Sequence, residues 1–229
     1  MAKQISLIED EPAIRENYAE ALRKQGYDVA GYAGRDEAMA SFRRRLPDLA
    51  IIDIALGDDS EAGFELCREL RGLSSSLPII FLTARDADID IISGLRLGAD
   101  DYLTKDVSIH QILARVAALF RRIEAFQNEQ DRGKLIRVSD LSIDTDRMSV
   151  DWKGNNIILT VTEFWILNSL VRHPGHVKSR EQLMSDAGIF VDDGTVTSHV
   201  KRIRRKFETI DPEFEYIDTV YGMGYRWKS

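Results

Sequence analysis

The chain has 229 residues, 44% hydrophobic and 30% charged, which suits two compact domains and excludes disordered and repetitive architectures. A single cysteine, Cys67, excludes an intramolecular disulfide, and no apolar run approaches the roughly 18 residues that cross a bilayer, so a cytoplasmic protein is expected. The formal charge of -7 speaks against a uniformly basic surface, yet Lys201–Lys206 reads KRIRRK: positive charge is concentrated, not absent.

From residue 3 to about 123, short apolar runs alternate with stretches of helical period, which predicts an α/β, parallel, doubly wound sheet. Strands are expected at Ile5–Ile8, Asp28–Tyr32, Leu49–Ile54, Ile79–Leu82 and Asp101–Leu103, the third and fourth apolar enough to be covered on both faces. Five helices accompany them. The first opens at Pro12, puts Ile14, Tyr18, Ala21 and Leu22 on one face and stops at Gly26. Cys67 falls in a helical pattern with Phe64, Leu70 and Leu73, where a small buried residue is expected. The last helix spans about Ser108–Ile123, with Ile112, Val116 and Leu119 inward. Residues 124–134 (EAFQNEQDRGK) have the composition of a linker or of an extension of that helix, so the first domain is placed at 1–123 and the second at 135–229.

The second domain begins with short strands, Leu135–Val138, Leu141–Asp144, Met148–Trp152 and Asn156–Leu159, with a turn at Lys153, Gly154 and Asn155. Three helices follow, roughly Val161–Arg172, Ser179–Ala187 and Thr195–Thr209. A hairpin pairing Tyr216–Val220 with Tyr225–Lys228 closes the pattern.

Ligands of a doubly wound sheet bind beyond the carboxyl ends of its strands. Those ends carry Glu9 and Asp10 after the first strand, Asp53 after the third, Thr83 at the fourth and Lys105 after the fifth. Any one of the carboxylates alone reads as a solvated loop residue, and Asp10 ahead of Pro12 as a helix cap. Their joint placement reads as a crevice. Three neighbouring carboxylates repel one another, and Mg2+ suits a site of few carboxylates, waters and a phosphate oxygen. Lys105 and Thr83 then offer an ammonium and a hydroxyl to phosphoryl oxygens as charge moves onto a transferred group.

With LIEDE, LAIIDIAL, FLTAR and GADDYLTK, residues 3–123 resemble the receiver domain of two-component response regulators. The resemblance implies that Asp53 takes a phosphoryl group from the histidine of a sensor kinase, while Glu9, Asp10, Asp53 and the backbone carbonyl of Ala55 hold Mg2+. It casts Thr83 and Tyr102 as a switch pair that signals to the face made by the fourth helix, fifth strand and fifth helix. On that face Asp100, Asp101 and Arg115 match positions of intersubunit salt bridges, whereas Ile91 and Gln111 stand where charged partners are usual. A homodimer with fewer ion pairs and more apolar contact is expected. Two loops depart from the family pattern. Asp106 follows Lys105 in place of a proline whose cis bond shapes the loop. The segment after Asp53 (IALGDDSEAGF) lacks the usual proline and is about two residues longer, setting Asp58, Asp59 and Glu61 near the rim.

In the third helix of the second domain, Val196, Val200, Ile203 and Phe207 define a buried stripe, Ser198, Lys201 and Arg205 point the opposite way, and Thr197, Arg202 and Arg204 flank them. Such a face suits the major groove of double-stranded DNA, cations meeting phosphates or guanine edges and hydroxyls reading adjacent atoms. The helix alone reads equally well as a solvated basic surface. With LTVTEFWILNSLVRHPG, SREQL, TVTSHVKRIRRKF and DTVYGMGYRW around it, the segment 135–229 resembles the OmpR/PhoB-type winged helix-turn-helix domain. The resemblance assigns DNA contacts to Thr197, Ser198, Lys201, Arg202 and Arg204, and a minor-groove reach to Arg226. It assigns contact with RNA polymerase to the loop from Gly188 to Gly194. Tyr221 stands where the wing commonly has an arginine.

The leading reading is a DNA-binding transcription regulator controlled by phosphorylation, with chemistry confined to its own phosphorylation and slow dephosphorylation. A Mg2+-dependent phosphohydrolase is disfavoured because Ala55 stands two residues beyond Asp53, where a general acid is needed. A constitutive DNA binder is the third reading, motivated by Asp106 and the altered loop.

Overall fold

In the computed structural model the described residues are 2–84, 94, 97–128, 135–186 and 193–228. They form two compact units, Met1–Val116 and Ala117–Ser229.

The first unit is a parallel sheet of β1 (Gln4–Ile8), β2 (Asp28–Tyr32), β3 (Leu49–Ile52), β4 (Ile79–Thr83) and β5 (Asp101–Thr104), in the order β2-β1-β3-β4-β5. Every residue of β3 and β4 is buried, as central strands covered on both faces require. Helices α1 (Pro12–Lys24), α2 (Arg35–Phe42) and α3 (Ala62–Leu73) join the strands, and α4 (Ile109–Asn128) follows β5. Residues 124–128 extend α4. The helix expected between β4 and β5 falls largely outside the described residues. Strand β3 ends two residues earlier than expected, because the Ile54 carbonyl accepts the Gly63 N–H of α3 instead of extending the ladder. Cys67 is buried as expected. Leu73, expected on the same inward face, ends α3 and is exposed.

The second unit opens with an antiparallel meander of β6 (Leu135–Val138), β7 (Leu141–Asp144), β8 (Ser149–Trp152) and β9 (Asn155–Ile157). The β8–β9 turn has two residues, not three. Lys153 and Gly154 both take positive φ (52° and 80°), the geometry that matches strand twist in a tight hairpin, so Asn155 already pairs with Trp152. Helices α5 (Val161–Val171), α6 (Arg180–Asp186) and α7 (Asp193–Glu208) follow, then the β10 (Ile217–Val220) and β11 (Gly224–Trp227) hairpin. Side chains set the helix starts. Thr160 and Glu163 close a capping box on α5, and Ser179 and Gln182 exchange the equivalent bonds ahead of α6. Val196, Val200, Ile203 and Phe207 are all buried, as the predicted stripe requires, and Phe207 joins an aromatic core around Trp152 with Phe214, Tyr216 and Trp227.

Candidate functional site

The strand ends of the first unit bring the predicted acids together. Glu9 and Asp53 are buried, Asp10 is exposed, and an oxygen from each of the three lies within 4.8 Å of the others. Lys105 Nζ bridges the two buried acids, donating to Asp53 Oδ2 at 2.6 Å and to Glu9 Oε1 at 2.9 Å. Asp53 Oδ1 accepts the Ile54 N–H at 2.6 Å. Thr83 is buried at the end of β4. Burial pushes the Glu9 carboxyl above its usual range; Lys105 opposes this and the Asp53 charge adds to it. Burial also opposes the charge on Lys105, but the bonds to Asp53 and Glu9 outweigh it and raise the ammonium. Two buried acids thus share one ammonium, with the exposed Asp10 beside them. With the half-buried Ala55 two residues after Asp53, the donor set is the all-oxygen chemistry that Mg2+ takes.

Several supporting residues were not singled out from the sequence. Arg15 Nη1 donates to the backbone carbonyls of Glu9 at 2.6 Å and Asp10 at 3.3 Å, holding the loop that presents both acids. The lengthened loop after Asp53 folds back on the pocket: the Gly57 N–H donates to Asp10 Oδ2 at 3.0 Å, and Leu56 and Asp59 exchange backbone bonds. Asp58, Asp59 and Glu61 are exposed along it. Gly63, the second residue of α3, lies against the backbone of Asp53 and Ile54, where a Cβ would be 2.6 Å from the Ile54 Cα. The Asp106 carboxylate accepts the hydroxyl of Thr104, and Lys105 still reaches both acids in a loop without the proline.

Tyr102 is buried, its ring 6.1 Å from that of Phe81. The residues expected at a dimer face divide. Asp100 is turned into the fold, which corrects its expected surface role: it pairs with Arg71 at 2.9 Å and accepts the Ile79 N–H at 3.1 Å. Arg71 completes that anchor with bonds to the carbonyls of Leu77 and Gly98. Asp101 is buried beside Arg115, 3.3 Å away within the same chain. Gln111 is exposed and its side chain accepts the Ser108 N–H at the start of α4. Ile91 lies outside the described residues.

In the second unit Thr197, Lys201 and Arg205 are exposed on α7 and Ser198 is half-buried beside them. Arg202 is the correction on this helix. Its side chain, expected on the flank of the outer face, is only 10% exposed and ion-pairs with the buried Glu163 at 2.8 Å. Periodicity places a residue on a helix but does not reveal an acid waiting behind it. Arg204 braces α7 to the hairpin, donating to the Ile217 carbonyl at 2.8 Å and to Thr219 Oγ1 at 2.7 Å. The Tyr225 hydroxyl meets Thr197 Oγ1 at 3.2 Å, a second tie between hairpin and helix. Arg226 pairs with Asp218 at 2.8 Å across the hairpin and keeps 42% of its side chain exposed. Tyr221, where the wing commonly has an arginine, is 93% exposed at the tip. Of the loop expected to meet RNA polymerase, residues 188–192 lie outside the described residues, and Asp193 already opens α7.

A five-stranded parallel sheet with an acidic crevice at its strand ends in one unit and a winged helix-turn-helix in the other define a two-component response regulator. The comparisons agree. Residues 5–117 match the response regulator receiver domain, and residues 154–227 match the transcriptional regulatory protein C-terminal family. The chain is 38% identical to the transcriptional regulatory protein BaeR of Escherichia coli O6:H1, over 99% of this chain and 93% of that one. It is 36% identical to CreB of Escherichia coli K12, over 96% and 95%. Among solved structures, a RitR mutant aligns over both full chains with TM-score 0.78 at 25% identity. The response regulator DrrB, a Thermotoga maritima OmpR/PhoB homologue, aligns over both full chains with TM-score 0.54 at 28% identity. The chain belongs to the OmpR/PhoB family of two-component transcriptional regulators.

Proposed function

We propose that a sensor histidine kinase phosphorylates Asp53, and that this promotes dimerisation and promoter binding. The observation that carries the reading is the Lys105 bridge between Glu9 and Asp53, with Asp10 within reach of both. Glu9, Asp10, Asp53 and the Ala55 carbonyl would hold Mg2+, which when bound neutralises charge on the phosphoryl group. Lys105 and Thr83 meet the phosphoryl oxygens, and Tyr102 relays the change. The Lys105 approach, intact beside Asp106, favours this reading over constitutive DNA binding, and Ala55 offers no general acid for turnover of free phosphomonoesters.

The dimer forms through the face made by the helix expected between β4 and β5, β5 and α4, with Ile91, Asp101, Gln111 and Arg115, while Asp100 supports it from within. The proposed domains are a receiver at 1–123, a linker at 124–134 and a winged helix at 135–229. RNA polymerase meets the loop from Gly188 to Gly194. A cytoplasmic location is in keeping with the described residues, among which no helix is long and apolar enough to cross a membrane.

DNA is read by Thr197, Ser198, Lys201 and Arg205 in the major groove, with Arg204 at the edge of that face, Arg226 on the wing and Arg202 behind it. Lys201→Ala and Arg205→Ala are each expected to weaken binding to a duplex selected from a random pool by about tenfold. Each is also expected to make the salt dependence shallower by about one unit, because one phosphate contact is lost. Thermal unfolding should be unchanged, since both side chains are exposed. Normal affinity and salt slope in both variants at moderate salt would refute this face.

A further inference from the structure

Glu163 sits at the third position of α5, fully buried, with its carboxylate reaching two elements. The Thr160 N–H donates to Oε2 at 2.8 Å, and from α7 come Arg202 Nε, 2.8 Å from Oε1, and Lys206 Nζ, 2.6 Å from Oε2. Burial opposes the charge, yet Arg202, Lys206 and the Thr160 N–H outweigh it and hold the carboxyl down at about 2. Arg202 and Lys206 are four residues apart, so one carboxylate grips α7 at two successive turns. The outward residues Lys201 and Arg205 immediately precede them. The apolar stripe fixes how deeply α7 sits, but apolar contact is non-directional. The Lys206 hydrogen bond and the Arg202 ion pair to one fixed carboxylate add what the stripe lacks, a constraint on rotation about the helix axis and on sliding along it.

We propose that Glu163 is a positioning residue for DNA reading: by gripping Arg202 and Lys206 it sets the rotation of α7 and thereby the aim of its outer face, Thr197 and Ser198 at base edges and Lys201 and Arg205 at the phosphates beside them. The inference rests on the outer face proposed above. It separates two contributions to binding. Base-edge contacts need alignment, whereas phosphate attraction needs mainly charge. Glu163→Gln removes one negative charge beside two cations, so it should impair sequence discrimination without impairing general attraction.

The experiment compares full-length wild type, Glu163→Gln and Lys206→Met on a duplex selected from a random pool by the phosphorylated wild type and on a scrambled duplex of the same composition. The active fraction is taken from stoichiometric titration. In Glu163→Gln the ratio of selected to scrambled affinity is expected to fall at least about tenfold, a loss comparable to a mismatched base pair. Scrambled binding should be equal or tighter, and the active fraction unchanged. Lys206→Met, which removes one arm of the grip, should lower the ratio by a smaller factor. An unchanged ratio with a reduced active fraction would overturn the proposal and leave Glu163 a stabiliser only. If Glu163→Gln does not fold, Lys206→Met decides: a lowered ratio supports the grip and an unchanged one overturns it. A wild-type ratio of one would overturn the reading of the outer face itself, and the grip with it, before any variant is compared.

Discussion

Lys105→Ala is expected to slow phosphorylation of Asp53 by acetyl phosphate by about two to three orders of magnitude, the usual effect of removing a preorganised donor from a site of developing charge. The same substitution should tighten Mg2+ binding. Lys105 satisfies the buried Glu9 and Asp53 at 2.7 and 2.6 Å, so a divalent cation competes with its ammonium for those oxygens. Removing it leaves acids that repel one another and welcome any cation, while the phosphoryl oxygens lose a partner. The two readouts therefore move in opposite directions. Initial rates of mass gain and calorimetric Mg2+ titration measure them separately. A rate within about threefold of wild type would remove Lys105 from the transfer step, well short of the effect expected for such a donor.

The second large effect concerns acid. Glu163 is held at about 2 in the folded protein, against an ordinary value of 4.5. Because the folded value is the lower one, its contribution is fully present above about pH 4.5 and is lost as pH falls toward 2, amounting to about 3 kcal/mol. The groups facing it are Arg202 and Lys206 from α7 and the Thr160 N–H. All three tryptophans, Trp152, Trp165 and Trp227, belong to the second unit, so tryptophan fluorescence follows its unfolding in the intact chain. Asp186, opposed by burial but held down by Lys178 and Ser169, and Asp211, held down by Lys153 and Trp152, are also lowered from the ordinary carboxylate value. The difference between wild type and Glu163→Gln isolates the one carboxylate. Urea midpoints of the two proteins should be far apart at pH 7 and converge toward pH 2. A gap that stays constant with pH would show that Glu163 is not ionised in the fold.

The acidic pocket was legible because its residues sit at strand ends, and strand ends are what apolar runs mark in a parallel sheet. Glu9, Asp10, Asp53, Thr83 and Lys105 all follow from that rule. The residues that hold them were not. Arg15 acts through carbonyls, whose direction no side-chain pattern reveals, and Gly63 matters for a backbone contact with Asp53 and Ile54 made across the chain. Asp100 reads as a surface acid in GADD, but Arg71, 29 residues earlier, draws it inside. Arg202 misled for the same reason. Glu163, embedded in VTEFWIL, has the spacing of a capping residue, and only the fold brings it 43 residues along the chain to Lys206. In each case a long-range charged partner overrode a correct local pattern. The β8–β9 turn erred differently, through one residue of turn length.

The central claim is that phosphorylation of Asp53 controls DNA binding, and one paired measurement tests it most directly. Wild type and Asp53→Ala are incubated with acetyl phosphate and Mg2+, and mass, dimerisation and affinity for a selected duplex are recorded on the same samples. The prediction is a single phosphoryl adduct on wild type that is absent from the variant, accompanied by dimerisation and tighter binding only where the adduct forms. A wild type that gains the adduct with no change in dimerisation or affinity would contradict it.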